Sequence, residues 1–84
     1  MRDWPPWWDW ELELSPHLLK RMVDRQFSEV DLRCMLEYAV GLREDVVEDR
    51  WVVETRHHGR AWEVIVEPDL GTRKLVVVTA YPQA

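Results

Sequence analysis

The sequence predicts an α+β fold: two N-terminal helices packed on a three- to four-stranded antiparallel meander sheet. Three observations carry that prediction. Apolar residues recur at helical spacing between Pro16 and Val40. From Arg50 onward the period changes to two. Turn sequences at His57-His58-Gly59 and Pro68-Asp69-Leu70-Gly71 then separate three strand-like runs.

Length and composition set the bounds. Eighty-four residues with 46% hydrophobic content make one folded domain with a modest core. A single cysteine, Cys34, excludes an internal disulfide and fits a reducing cytoplasm. Arg2 is followed by aspartate, prolines and tryptophans instead of an apolar run, so no secretory leader is expected. No stretch is apolar enough to cross a bilayer, and no membrane partner is expected. A net charge of −5 argues against nonspecific coating of nucleic acid. The charge is uneven, however. Residues 17–26 carry Lys20, Arg21 and Arg25 against Asp24 alone, whereas residues 28–49 carry two arginines against seven acids. The uneven charge leaves room for a local basic site on an acidic body.

Residues 1–10, MRDWPPWWDW, form a Trp/Pro-rich arm ahead of a single domain over 11–84. Its prolines forbid a regular helix. The arm either packs on the domain or offers a partner an aromatic surface. Glu11 to Leu14 alternate polar and apolar, as a short half-buried strand does, and supply the fourth strand. Ser15-Pro16 starts the first helix, with Ser15 as N-cap and Pro16 at the first helical position. Leu18, Leu19, Met22 and Val23 share one face; His17, Lys20, Arg21 and Asp24 share the other, with Arg25 at the border. Ser28 opens the second helix, with Asp31 completing a capping box and Phe27 stapling onto Leu32. Gly41 is its expected end. Apolar residues spread around most of this helix, so it is expected between the first helix and the sheet, or at a subunit contact. Residues 42–49 are an acidic connection with room for a short edge strand. Arg50 to Arg56, Arg60 to Glu67 and Leu75 to Tyr81 are the strands, the last apolar enough to lie centrally.

Register follows from the hairpin. If His58-Gly59 is a two-residue loop, Thr55 faces Trp62, Val53 faces Val64 and Trp51 faces Val66, on the face that receives the helices. The opposite face carries Glu54, Arg56, Glu63, Ile65, Val77, Thr79 and Tyr81. Glu54 and Glu63 then oppose each other, which is unfavourable unless a cation intervenes or a bulge separates them. Arg56 is the local cation.

Little in the chain points to nucleophilic or metal chemistry. Cys34 lies on an apolar helix and reads as a core residue. Glycine-rich phosphate loops and nucleophile elbows are missing. His57 and His58 are adjacent, so on an extended strand they point to opposite sides and chelate one ion poorly. No metal or other cofactor is expected. What remains is acid–base chemistry. His17 can move a proton near neutral pH, and Arg21 and Arg25 could hold a phosphate. Arg56, Thr79 and Tyr81 meet them only if the first helix lies near that part of the sheet. The alternative is that the first helix simply presents a solvated basic face.

The order of features resembles the bacterial family called domain of unknown function 4258. HLLKRMVDRQFSEVDL, RWVVETRHHGR and LVVVTAYP carry the resemblance, over roughly residues 12–82. Family members read as His-x-x-x-x-Arg on a first helix, an arginine a turn later, a serine-capped second helix and a closing Thr-x-Tyr strand. The matching positions here are His17, Met22 preceded by Arg21, Arg25, Ser28, and Thr79 with Tyr81. That family is similar to the RelE-type and barnase-like ribonuclease toxins. The resemblance implies a metal-independent endoribonuclease that uses the RNA 2′-hydroxyl as nucleophile and is encoded with an antitoxin. It implies His17 as an acid or base, Arg21 and Arg25 as phosphate clamps, and Tyr81 stacking on or hydrogen-bonding the substrate. With the strand residues added, the candidate catalytic residues are His17, Arg21 and Tyr81, and the candidate substrate-binding residues are Arg25, Arg56 and Thr79. RNA or the ribosome and a cognate antitoxin are then the expected partners. The contrasting expectation is a noncatalytic module that forms a homodimer through the Trp-rich arm, the second helix, or an apolar sheet patch around Ile65 and Val77. A weaker third is a metal-binding regulator using His57 or His58.

Overall fold

The computed structural model describes residues 4–83. A 3-10 helix, Pro6–Asp9, leads into β1 (Glu11–Leu14), α1 (Pro16–Asp24), α2 (Glu29–Glu37), β2 (Gly41–Glu44), β3 (Trp51–His57), β4 (Arg60–Asp69) and β5 (Lys74–Pro82). The strands form one five-stranded sheet in the order β1-β5-β4-β3-β2. β1 runs parallel to β5, and every other pair is antiparallel. The expected three- to four-stranded antiparallel meander is therefore corrected to a mixed five-stranded sheet, within the same α+β class. Two features account for the difference. Glu11–Leu14 does join the sheet, but beside β5 and in the same direction, because the chain turns from it straight into α1. The second helix stops at Glu37, short of Gly41, and Val40 N–H already bonds Glu54 C=O. That frees Gly41–Glu44 to pair along β3 as the outer strand.

One face of the sheet receives everything else. α1 packs on β5 and α2 on β3. Leu18, Phe27, Leu32, Met35, Leu36 and Ala39 meet Val53, Trp62, Val64, Val66, Leu75, Val77 and Ala80 in one core. Trp4, Trp7, Trp8 and Trp10 pack against the same core, with Trp7 set 5.5 Å from Trp51, so the aromatic arm folds onto the domain. Residues 1–3 of that arm lie outside the described residues.

Local chemistry fixes the helices. Ser15 accepts from Leu18 N–H and donates to Val78 C=O at 2.8 Å, so one hydroxyl caps α1 and ties it to β5. The capping box of α2 is complete: Ser28 and Asp31 each accept from the other's backbone N–H. Phe27 is buried and sets its ring edge against Trp62 at 5.3 Å. No helix among the described residues is long and apolar enough to cross a membrane.

The β3–β4 register is the expected one: Trp51 opposes Val66, Val53 opposes Val64 and Thr55 opposes Trp62. Val77 departs from expectation. A bulge in β5 puts Ile65 opposite Thr79 but Val66 opposite Val77, so Val78 is the extra residue. Val77 therefore flips into the core, where it is fully buried, while Thr79 and Tyr81 stay on the open face. Ile65 is also buried, so no apolar patch forms around Ile65 and Val77.

Candidate functional site

The six residues singled out from sequence fall into two groups of three. His17, Arg21 and Arg25 belong to the α1 layer. His17 is exposed and makes no hydrogen bond or ion pair among the described residues. Arg21 bonds Asp24 one turn on, at 3.1 Å. Arg25 caps the helix C-terminus and donates to Ala80 C=O at 3.0 Å, so its guanidinium holds α1 against β5. Arg56, Thr79 and Tyr81 occupy the other face of the sheet, as their alternation with Thr55 and Ala80 requires. The sheet thus separates His17 from Tyr81, and the two halves do not converge on one phosphate.

The open face has its own centre, Glu63. It is buried, and its carboxylate accepts from Tyr81 Oη at 2.7 Å, Arg43 Nη2 at 2.8 Å and Gln83 Nε2. Burial pushes its pKa up. The donated hydrogen bonds from Tyr81 and Gln83, and the Arg43 charge and hydrogen bond, outweigh burial and hold the carboxyl below its ordinary range. The same contact raises the Tyr81 phenol, first through the hydrogen bond to Glu63 and then through burial. Tyr81 is thus a donor fixed on Glu63.

Glu54 does oppose Glu63, and a cation does lie between them. It is Arg43, 3.7 Å from Glu54 and 2.8 Å from Glu63, and not Arg56. Arg43 sits on β2, opposite Val52 and next to both acids, a position that becomes visible only once β2 is known to be a strand. The like-charge pair that calls for this network is legible in the sequence, whereas the arginine that relieves it is Arg43 on β2 and not the expected Arg56.

The outer face of α2 is apolar. Val30 and Tyr38 are 69% and 68% exposed, and Cys34 between them is exposed as well, not buried as its helix suggested. The three recur every fourth residue, opposite the buried Leu32, Met35 and Leu36. Alongside runs the row Glu29, Arg33 and Glu37. Arg33 bonds Glu29 at 3.1 Å, and Glu37 has no ion-pair partner among the described residues.

A last cluster joins Asp31, His57 and His58, whose ligand atoms lie within 4.8 Å of one another. Adjacent histidines were expected to point apart. They do not, because His58 leaves the strand with φ +51° and its ring comes to 4.1 Å from that of His57.

The chain matches no protein-family model, no curated protein and no solved structure.

Proposed function

We propose that this chain is a noncatalytic interaction module that pairs with a second copy of itself through the outer face of α2. The observation that carries the reading is the exposed stripe Val30, Cys34 and Tyr38, on a helix whose opposite side is already fully used in the core. Charge favours a second copy as the occupant. In an antiparallel pair whose twofold axis passes midway between residues 33 and 37, each Arg33 stands opposite the other copy's Glu37, which has no ion-pair partner among the described residues of the single chain. The Trp-rich arm is not the contact in this reading, since its described tryptophans pack on the core. An exposed Cys34 thiol fits a cytoplasmic protein, where it stays reduced.

Sedimentation equilibrium of the full chain tests this. A dimer is expected, and Val30→Glu with Tyr38→Glu is expected to return it to a folded monomer, because two buried charges oppose association. Val46→Glu, at a fully exposed loop position, should leave the dimer intact. A monomeric wild-type chain, or a dimer indifferent to the α2 changes, would overturn the reading.

The second reading is a toxin-antitoxin-type ribonuclease acting on RNA, with the family relation drawn from the His17-to-Tyr81 pattern. Its support is that His17 and Lys20 stand exposed on α1 with Arg21 half-buried beside them, a basic face that core packing does not use. Induction in bacteria should then arrest growth, and His17→Ala with Arg21→Ala should relieve the arrest. Normal growth and intact RNA with the wild-type chain would remove this reading.

A further inference from the structure

The β3–β4 hairpin and the first turn of α2 bring three metal-ligating side chains from two elements to one place. His57 ends β3, paired with Arg60. His58 and Gly59 make the turn, with φ +51° and +74°. Two successive left-handed residues are what a tight two-residue hairpin turn requires. The left-handed His58 swings its ring back beside His57, so that the two imidazoles meet edge-on at 83°. Asp31 enters from the other side, at the third position of α2. We propose that Asp31, His57 and His58 form a binding site for a divalent transition-metal ion of the Zn2+ class.

Donor chemistry selects the class. Two imidazole nitrogens and one carboxylate suit Zn2+ and its neighbours, whereas Ca2+ and Mg2+ need a shell built from oxygens. Three protein ligands leave a further position for water. The donors stand within 4.8 Å of one another, and around a tetrahedral Zn2+ they would close to about 3.3 Å. His58 is exposed and His57 and Asp31 are half-buried, so side-chain rotation can supply that closure.

The surroundings orient the ligands. One Asp31 oxygen accepts from Ser28 N–H at 2.8 Å, which holds the carboxylate while its second oxygen stays available. That backbone bond is also the main reason the Asp31 carboxyl is held below its ordinary range, against some loss of hydration and with help from the two histidines. The His57 ring stands perpendicular to Trp62 at 5.6 Å, and Trp62 is itself backed by Phe27 just ahead of the α2 cap. A bound ion would therefore clip the start of α2 to the tip of the hairpin, adding to the Phe27–Trp62 contact and to the Thr55 hydroxyl bond to Met35 C=O.

The inference does not rest on pairing through α2. Titration calorimetry of the full, metal-stripped chain with Zn2+ should show one ion per chain, with the thermal midpoint rising as Zn2+ is added. Asp31→Asn keeps an acceptor for Ser28 N–H but loses the anionic ligand, and it should weaken binding by at least about tenfold. His57→Gln and His58→Asn should each do the same or more. Asn tolerates the left-handed turn at position 58, so that variant keeps the hairpin. His17→Ala, off the site, should bind as the wild type does. Co2+ in place of Zn2+ should give the absorption bands of a low-symmetry four-coordinate site, lost in the His58→Asn chain. Absence of Zn2+ binding by the wild-type chain, or binding unchanged in all three site variants, would overturn the proposal.

Discussion

Trp62→Ala is expected to cost about 3–5 kcal/mol of folding stability, the largest loss from any single truncation in this chain. The indole is 6% exposed on the core face of β4, opposite Thr55 on one side and Pro82 on the other. Phe27 and His57 both present ring edges to it. Its removal leaves a void at the point where the start of α2, the β3–β4 hairpin and the end of β5 meet. None of the three can move in to fill that void. Phe27 is fixed by the capping box that follows it, and Thr55 is fixed by its hydroxyl bond to Met35 C=O. A domain of this size holds about 4–13 kcal/mol in total, so the variant should sit at the edge of unfolding. Urea denaturation reads the effect as a large fall in midpoint at constant slope. Trp62→Phe should recover much of the loss. A cost below about 1 kcal/mol would show that the site relaxes and that the packing described here does not hold the two layers together.

The second large effect is expected at Glu63, and it depends on pH. Glu63→Gln replaces one acceptor oxygen with an NH2 group that must face a donor, Tyr81 on one side or Arg43 and Gln83 on the other. A loss of about 2–3 kcal/mol at neutral pH follows, because a buried charged acceptor with good partners is removed and donors are left unsatisfied. The folded carboxyl holds its proton less tightly than the unfolded one. Ionised Glu63 therefore stabilises the fold above the ordinary carboxyl pKa, about 4.3. That stabilisation fades as pH falls below this value and disappears once pH passes the lower folded value. Stability measured from neutral to acid pH should fall more steeply for the wild type than for Glu63→Gln. Parallel curves would mean that the three donors do not favour the ionised form. Tyr81→Phe separates structure from chemistry at the same place. It should raise the Glu63 pKa and lower stability, whatever it does to any RNA.

How much of this was legible in the residues depends on the range of the interaction. Caps and turns were readable because they are local: Ser15, Ser28 with Asp31, and Gly59 each act within four residues. The β3–β4 register was readable because a two-residue turn fixes every pair beyond it. The open-face repulsion followed from that register, but its remedy did not. Arg43 reaches Glu63 only because β2 lies beside β3, and the short edge strand expected within residues 42–49 carries no mark of the strand it pairs with. Val77 was placed on the wrong face by one residue, since an unbroken valine run carries no mark of where a strand bulges. Cys34 was misplaced because an all-round apolar helix does not say how many layers cover it. His17 and Arg21 lie in α1, Arg25 caps its end, Arg56 lies in β3, and Thr79 and Tyr81 lie in β5. Their failure to converge follows from the strand alternation, which already puts Arg56, Thr79 and Tyr81 on the face opposite the helices.

β5 lies between β1 and β4, and this placement shapes how the protein is made. The Ser15 hydroxyl finds its carbonyl acceptor 63 residues downstream. At about 5–20 residues per second, a ribosome takes about 3–13 s to reach it. Through that interval β1 has no partner strand, and Trp4, Trp7, Trp8 and Trp10 have no completed core to cover. Pairing so distant in sequence is also slow to find once it becomes available. The Trp-rich segment therefore leaves the ribosome before β5 does and is covered only once β5 has been made. That is a window for chaperone capture or premature association, and its length is set by the position of one strand in the order of synthesis.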